Sequence, residues 1–224
     1  MIRVALPAGD VEVGELVDEA AEPWAVLALA HGAGAGMDHP FLEGLATALA
    51  GGGVSVVRFT FPYLQAGRRM PGAAAHATAT WSAVAERARE VAAGLPWIAA
   101  GKSYGGRMAS MAAAEGLIDP AALVYVGYPF HPPGRPDKAR SAHLPAVAAP
   151  QLFLAGTKDP FLQPLDQFTG AVDTCQDAEI VWTEGGGHSF EVAGGAKRGA
   201  AEVGAGLAPV VLSWLERRLQ RPAA

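Results

Sequence analysis

Cysteine is nearly absent from this chain: Cys175 stands alone, so no intramolecular disulfide can form and a reducing compartment is expected. No apolar run reaches the roughly 18 residues of a membrane helix. The N-terminal segment carries Asp10, Glu12 and Glu15 where a secretory leader needs an apolar centre, which points to a cytoplasmic protein without a membrane partner. Lysine is scarce and the formal net charge is −5, so the electrostatic footprint of a nucleic-acid binder is missing. The Arg68-Arg69 and Arg217-Arg218 pairs are too short to reverse that balance.

Metal and nucleotide motifs are missing as well. There is no His-Glu-x-x-His and no cysteine pair, so no metal site is expected. Gly101-Lys102-Ser103 looks like the end of a phosphate loop, but that loop needs glycine at position 96, where Pro96 stands. Gly32-Ala33-Gly34-Ala35-Gly36 begins like a dinucleotide turn, yet Met37 occupies the third glycine's place. The next strand ends near Arg58 rather than at an acidic residue. No cofactor is expected.

What is present is a core. Half of the 224 residues are apolar and 17% are charged, the balance of a globular chain, and its length suits one domain over 1–224. Residues 2–6 and 11–17 alternate around Pro7-Ala8-Gly9-Asp10 and read as a hairpin. A continuous apolar run at 24–30 and largely apolar strands at 54–61, 97–102, 121–128, 151–155 and 179–183 follow, as buried parallel strands require. Between them lie helical stretches: one capped by Asp38 and stopped by Gly51-Gly52-Gly53, and one from about Thr78 with Trp81, Val84, Ala88 and Val91 on one side. Others follow Ser103, span about 163–172, and run from Glu202 to Leu219, with Pro209 as a kink or late start. Residues 129–150 are proline-rich and aperiodic, an excursion over the sheet edge that is the one candidate cover for a site. The expected fold is α/β: a mostly parallel, doubly wound sheet of about eight strands with an N-terminal antiparallel hairpin and no large lid domain.

In such sheets, sites form where strand C-termini emerge. Gly101-Lys102-Ser103-Tyr104-Gly105 lies between a strand and a helix and reads G-x-S-x-G, the nucleophile elbow. A serine hydroxyl needs a base, and the base needs an acid to orient it. His188 follows the last strand through three glycines, and Asp159 follows the strand before it. The order Ser103, Asp159, His188 is that of an α/β-hydrolase triad. A tetrahedral oxyanion needs two donors. The amide of Tyr104 supplies one, and the His31-Gly32-Ala33-Gly34 loop the other, through Ala33 or, failing it, Gly34, with His31 supporting the loop. Asp159 also reads as a helix cap or Asp-Pro turn, and His188 as a solvent-exposed loop residue. His39, His76, His131 and His143 are assigned local hydrogen-bonding work. Arg58, Arg68 and Arg69 are candidates for holding an anionic substrate group, against surface ion pairs as the alternative, and Gly34 is a candidate for contacting substrate.

Five segments together resemble a known family. They are His31–Phe41, Arg58–Tyr63, Gly101–Arg107, Leu152–Phe161 and Gly186–Phe190, spread over nearly the whole chain. The chain is similar to the dienelactone-hydrolase-like group of α/β-hydrolases, particularly its testis-expressed-hydrolase-like branch. The resemblance implies Ser103 as nucleophile, Asp159 as acid and His188 as base. Dienelactone hydrolases proper carry a cysteine where Ser103 stands, so their substrate is not carried over. The resulting expectation is a serine hydrolase of a small-molecule ester or thioester with a shallow, open acyl pocket. A homodimer is left open. The competing expectations are an amidase or peptidase with the same triad, and a hydrolase fold kept as a binding scaffold.

Overall fold

Strand alternation builds the architecture. Along β4 (Ala25–Ala30), Ala25, Leu27 and Leu29 pack into one apolar cluster while Val26, Ala28 and Ala30 pack into another, and all six are buried. The same division recurs along β5 (Val54–Phe59), β6 (Trp97–Lys102), β7 (Ala122–Val126) and β8 (Gln151–Gly156). A strand apolar on both faces must be covered on both, which forces a three-layer arrangement. The computed structural model describes residues 1–194 and 197–220, and among them a seven-stranded sheet runs β3-β5-β4-β6-β7-β8-β9. β3 (Glu15–Asp18) is antiparallel to β5; the other neighbours are parallel, ending at β9 (Ala178–Thr183).

The opening hairpin is shorter than the alternation suggests. β1 (Ile2–Val4) pairs with β2 (Val11–Val13), and the chain then leaves the pair at Gly14 and enters the main sheet as β3. The Gly14 carbonyl accepts from Thr60 N–H and its N–H donates to the Gln65 side chain, so the break is held from outside the hairpin.

Helix boundaries correct the sequence reading in three places. α1 (Pro40–Gly51) is capped by His39 and not by Asp38: His39 Nδ1 accepts from Phe41 N–H at 3.2 Å. Pro40 explains the shift, because its fixed φ suits the first helical position and sets the cap one residue before it. A single turn, α2 (Pro62–Gln65), follows β5, and then α3 (Ala74–Ala92) begins one turn ahead of Thr78, since its alanine-rich start carries no apolar stripe to read. The closing helix is two pieces, α6 (Ala200–Ala205) and α7 (Ala208–Leu219). Pro209 lies in the first turn of α7, where its missing N–H leaves no bond unmade, so it marks a start and not a kink. α4 (Tyr104–Ala114) and α5 (Leu165–Val172) complete the set.

α6 sits very close to α1. A Cβ on Gly44 would collide with the Ala201 carbonyl, and one on Gly204 with the Phe41 carbonyl. This glycine-to-backbone crossing brings Val203 and Phe41 side by side at the C-terminal edge of the sheet, as part of one cleft wall. On the opposite side runs the 129–150 segment, which holds two single 3-10 turns, Pro136–Lys138 and Leu144–Ala146, and no inserted lid.

Candidate active site

The turn after β6 is forced by steric limits. Ser103 has φ 49° and ψ −113°, a conformation rarely tolerated by a residue with a side chain. It is held by its own N–H, which donates to the Val126 carbonyl at 3.0 Å. A Cβ on Gly105 would lie 2.6 Å from both the Ala30 Cβ and the His31 carbonyl oxygen, and one on Gly106 would lie 2.6 Å from the Gly101 carbonyl oxygen. The glycines therefore let the helix start press against two strands while the serine is lifted into the cleft.

The loops after β8 and β9 are locked to each other. Lys158 N–H donates to the Gly186 carbonyl, Thr157 N–H to Thr183, and Gly185 N–H to the Thr157 hydroxyl at 2.8 Å. Asp159 is fully buried and uses both oxygens. Oδ1 accepts from Phe161 N–H at 2.8 Å, and Oδ2 lies 2.7 Å from His188 Nδ1. The Asp-Pro turn and the orienting contact are thus both present, one on each oxygen. A carboxylate only accepts, so His188 carries its proton on Nδ1 and presents a bare Nε2. That nitrogen is 2.9 Å from Ser103 Oγ, the right sense for the hydroxyl to donate to it. The Phe161 ring lies over the imidazole at 4.3 Å between centroids, and Lys102 Nζ donates to the His188 carbonyl at 2.8 Å. Burial pulls the Lys102 ammonium down to about 8, with Asp159 and Glu191 acting the other way.

His31 explains how the neighbouring loop is held. Phe61 N–H donates to its Nε2 at 3.0 Å, so Nδ1 bears the proton and donates to the Gly32 carbonyl at 2.8 Å. In a trans peptide the C=O and the following N–H point in opposite directions. Fixing the Gly32 carbonyl on His31 therefore turns the Ala33 N–H the other way. Among the described residues no protein acceptor takes the N–H of Ala33 or of Tyr104, and both residues line the cleft beside Ser103. Gly34 lies outside that lining; its φ of +77° serves the turn closed by the Ala35 N–H on the Gly32 carbonyl.

Of the two readings of Arg58, the structure has the ion pair and not the anion holder, and the pair is buried rather than on the surface. Arg58 is only 6% exposed, and its Nε and one terminal nitrogen grip the two oxygens of Asp18 at 2.7 and 3.0 Å. Its other terminal nitrogen donates to the Met37 carbonyl at 2.9 Å. All its donors face away from the cleft because β3 brings Asp18 alongside β5. Arg58→Met is expected to lower stability by about 2 kcal/mol, below the fully buried case because Asp18 keeps some solvent. Urea denaturation measures this; an unchanged midpoint would show that the pair contributes nothing. Arg68 and Arg69 are exposed and outside the cleft.

The cleft has a volume of about 740 Å³, the size of a small-molecule site. Phe41, Leu42 and Val203 make its apolar wall, and Arg107 and Arg140 also line it. Neither arginine was singled out in the sequence. For Arg107 a signal existed: it is four residues after Ser103, one helical turn on. His143 lies behind them, with Nε2 2.7 Å from the Ser110 hydroxyl, and burial followed by the charge of Arg107 pushes it down to about 4. An unfolded His143 takes its proton near 6.5, the folded one only near 4. Between these values the unfolded chain holds the extra proton, so stability declines as pH falls from 6.5 towards 4. In urea titrations, His143→Gln is expected to flatten that decline. An equal slope in both proteins would remove His143 as its source.

Residues 23–214 match the family described as the alpha/beta hydrolase domain. The chain belongs to the alpha/beta hydrolase family. A comparison with curated proteins finds no match. Solved structures similar to this alpha/beta hydrolase include an alpha-beta serine hydrolase homologue from Coxiella burnetii, 19% identical, with a TM-score of 0.70 over 97% of this chain and 95% of that one. A serine hydrolase without a lid from Xanthomonas campestris is 21% identical, TM-score 0.70, over 100% and 95%. A dienelactone hydrolase from Anabaena variabilis is 18% identical, TM-score 0.71, over 96% and 95%. At these identities the likeness is one of fold, the mostly parallel sheet with its antiparallel edge. Among the described residues of this alpha/beta hydrolase, no helix is long and apolar enough to cross a membrane.

Proposed function

We propose that the protein is a serine hydrolase of carboxylic esters or thioesters. One observation carries this reading: the Asp159-His188-Ser103 chain of contacts, 2.7 and 2.9 Å, ends on a strained serine inside a cleft. Ser103 Oγ attacks the carbonyl carbon as its proton passes to His188 Nε2, and Asp159 Oδ2 holds the imidazolium. The oxyanion accepts from the N–H groups of Ala33 and Tyr104, the latter at the positive end of α4. His188 then returns the proton to the departing alcohol or thiol. Water attacks the acyl-serine with His188 as base, releasing the acid and restoring Ser103.

The strained turn that lifts Ser103 towards His188 favours hydrolysis over a pure binding role, because binding alone needs no such alignment. A fluorophosphonate probe is expected to label the protein covalently at neutral pH on Ser103, read by mass spectrometry of the peptide. No labelling would refute the nucleophile assignment and favour the scaffold.

A further inference from the structure

Three arginines line the cleft, Arg107, Arg140 and the exposed Arg198, and the first two act on each other. Arg107 lines it beside Ser103 and His188, anchored one turn along α4 by its N–H on the Ser103 carbonyl at 3.1 Å. Its Nε is buried and has no hydrogen-bond partner, and among the described residues it makes no ion pair. Burying a charged donor unpaired is costly, so such a group either serves packing or waits for an acceptor.

Arg140 reaches the same cleft from the 129–150 segment, and it too pairs with no carboxylate among the described residues. Its position is built into the fold. Arg140 N–H donates to the Phe130 carbonyl at 2.7 Å, and its own carbonyl accepts from the buried Tyr128 hydroxyl at 2.8 Å. Burial makes the Arg140 cation less favourable, and Arg107 pushes in the same direction, so the two charges lie close enough to repel. The groups packed behind them bring no relief. His143 is neutral at pH 7, Tyr128 keeps its proton because burial raises it, and Ser110 is uncharged. Glu191, the carboxylate of the cleft lining, accepts from Ser189 N–H at 3.0 Å and acts on Lys102.

We propose that the substrate carries a negatively charged group, a carboxylate or a phosphate, which Arg107 and Arg140 bind while its ester or thioester carbonyl lies on Ser103. Two planar guanidinium forks suit either anion, and the ligand charge would relieve the repulsion between them. The ester part of this statement rests on the hydrolase reading; the anion site does not. Away from Arg107 and Arg140, Phe41, Leu42 and Val203 receive the uncharged part, with the exposed Arg198 at their edge.

The test compares kcat/KM for mono-p-nitrophenyl adipate with that for p-nitrophenyl hexanoate, an uncharged ester of equal chain length. Two further arms, 4-carboxyphenyl butyrate and 4-(phosphonooxy)phenyl butyrate against phenyl butyrate, place the charge on the alcohol side and change it to phosphate. Wild type is expected to prefer at least one anionic ester by tenfold or more. Arg140→Gln should lower that ratio about 10- to 100-fold, chiefly through KM, as charge-assisted hydrogen bonds imply. Arg107→Gln should act in the same direction, and Arg140→Lys should recover part of the ratio. No preference in any arm, or a ratio untouched by Arg140→Gln, would overturn the proposal. If no ester is turned over and the fluorophosphonate fails to label, the hydrolase reading falls alone. Calorimetric binding of monomethyl adipate then decides the anion site: binding that Arg140→Gln weakens tenfold supports it, and absent or unaltered binding refutes it.

Discussion

Ser103→Ala is expected to cut turnover of an uncharged p-nitrophenyl ester by about four to six powers of ten, and adding His188→Ala to cost almost nothing more. The reason is that Ser103 and His188 act through one shared proton. Once the hydroxyl is gone, the bare Nε2 at 2.9 Å has nothing to deprotonate on the protein, and once the imidazole is gone the hydroxyl stays a weak nucleophile. What remains in either variant is the pair of amides at Ala33 and Tyr104, which stabilise charge without forming a bond. The measurement is single-turnover kinetics on the two single variants and the double. Strictly multiplicative losses would mean that the two residues act independently, against the contact seen between them.

The second large effect concerns folding. Gly105→Ala is expected to destabilise the protein by about 3 kcal/mol, a fall in Tm of roughly 6–12 °C for a chain of this size. The new methyl would lie 2.6 Å from the Ala30 Cβ and from the His31 carbonyl oxygen, and both belong to or adjoin the central strand β4. Neither can retreat without shifting strand pairs on both sides. Because His31 also orients the Gly32 peptide, the variant should lose ester turnover beyond what its lower stability explains at a temperature where it is still folded. Calorimetry with activity measured well below Tm checks both parts. A variant with unchanged Tm would show that the helix start has room that the geometry denies.

Much of this arrangement was legible in the sequence because buried parallel strands announce themselves as largely apolar runs, and each such run here ends in a loop. Ser103, Asp159 and His188 were found by their places after β6, β8 and β9, and the structure brings those three loops within hydrogen-bond reach. The seven-stranded sheet with its antiparallel edge and separate hairpin follows the same patterns, except that Gly14 ends one strand inside an alternating run. Long-range pairings were harder to see. An ion pair was one of the two readings of Arg58, but its partner could not be named because Asp18 is 40 residues away in sequence and reaches it only through β3 pairing with β5. Arg140 sat in a segment without periodicity, and its backbone is pinned by the Phe130 carbonyl and the Tyr128 hydroxyl, contacts that no local pattern announces. The cap at His39 was hidden because Asp38 beside it is the better cap in isolation, and the proline decided between them.

Lys102 gives the proposed base and nucleophile, His188 and Ser103, a mechanical connection apart from the proton they would share. Its main chain leads directly into Ser103, while its ammonium holds the backbone of His188. The contact ties the histidine loop to the residue next to the elbow, and so couples the positions of His188 and Ser103. That coupling is a tether one residue long.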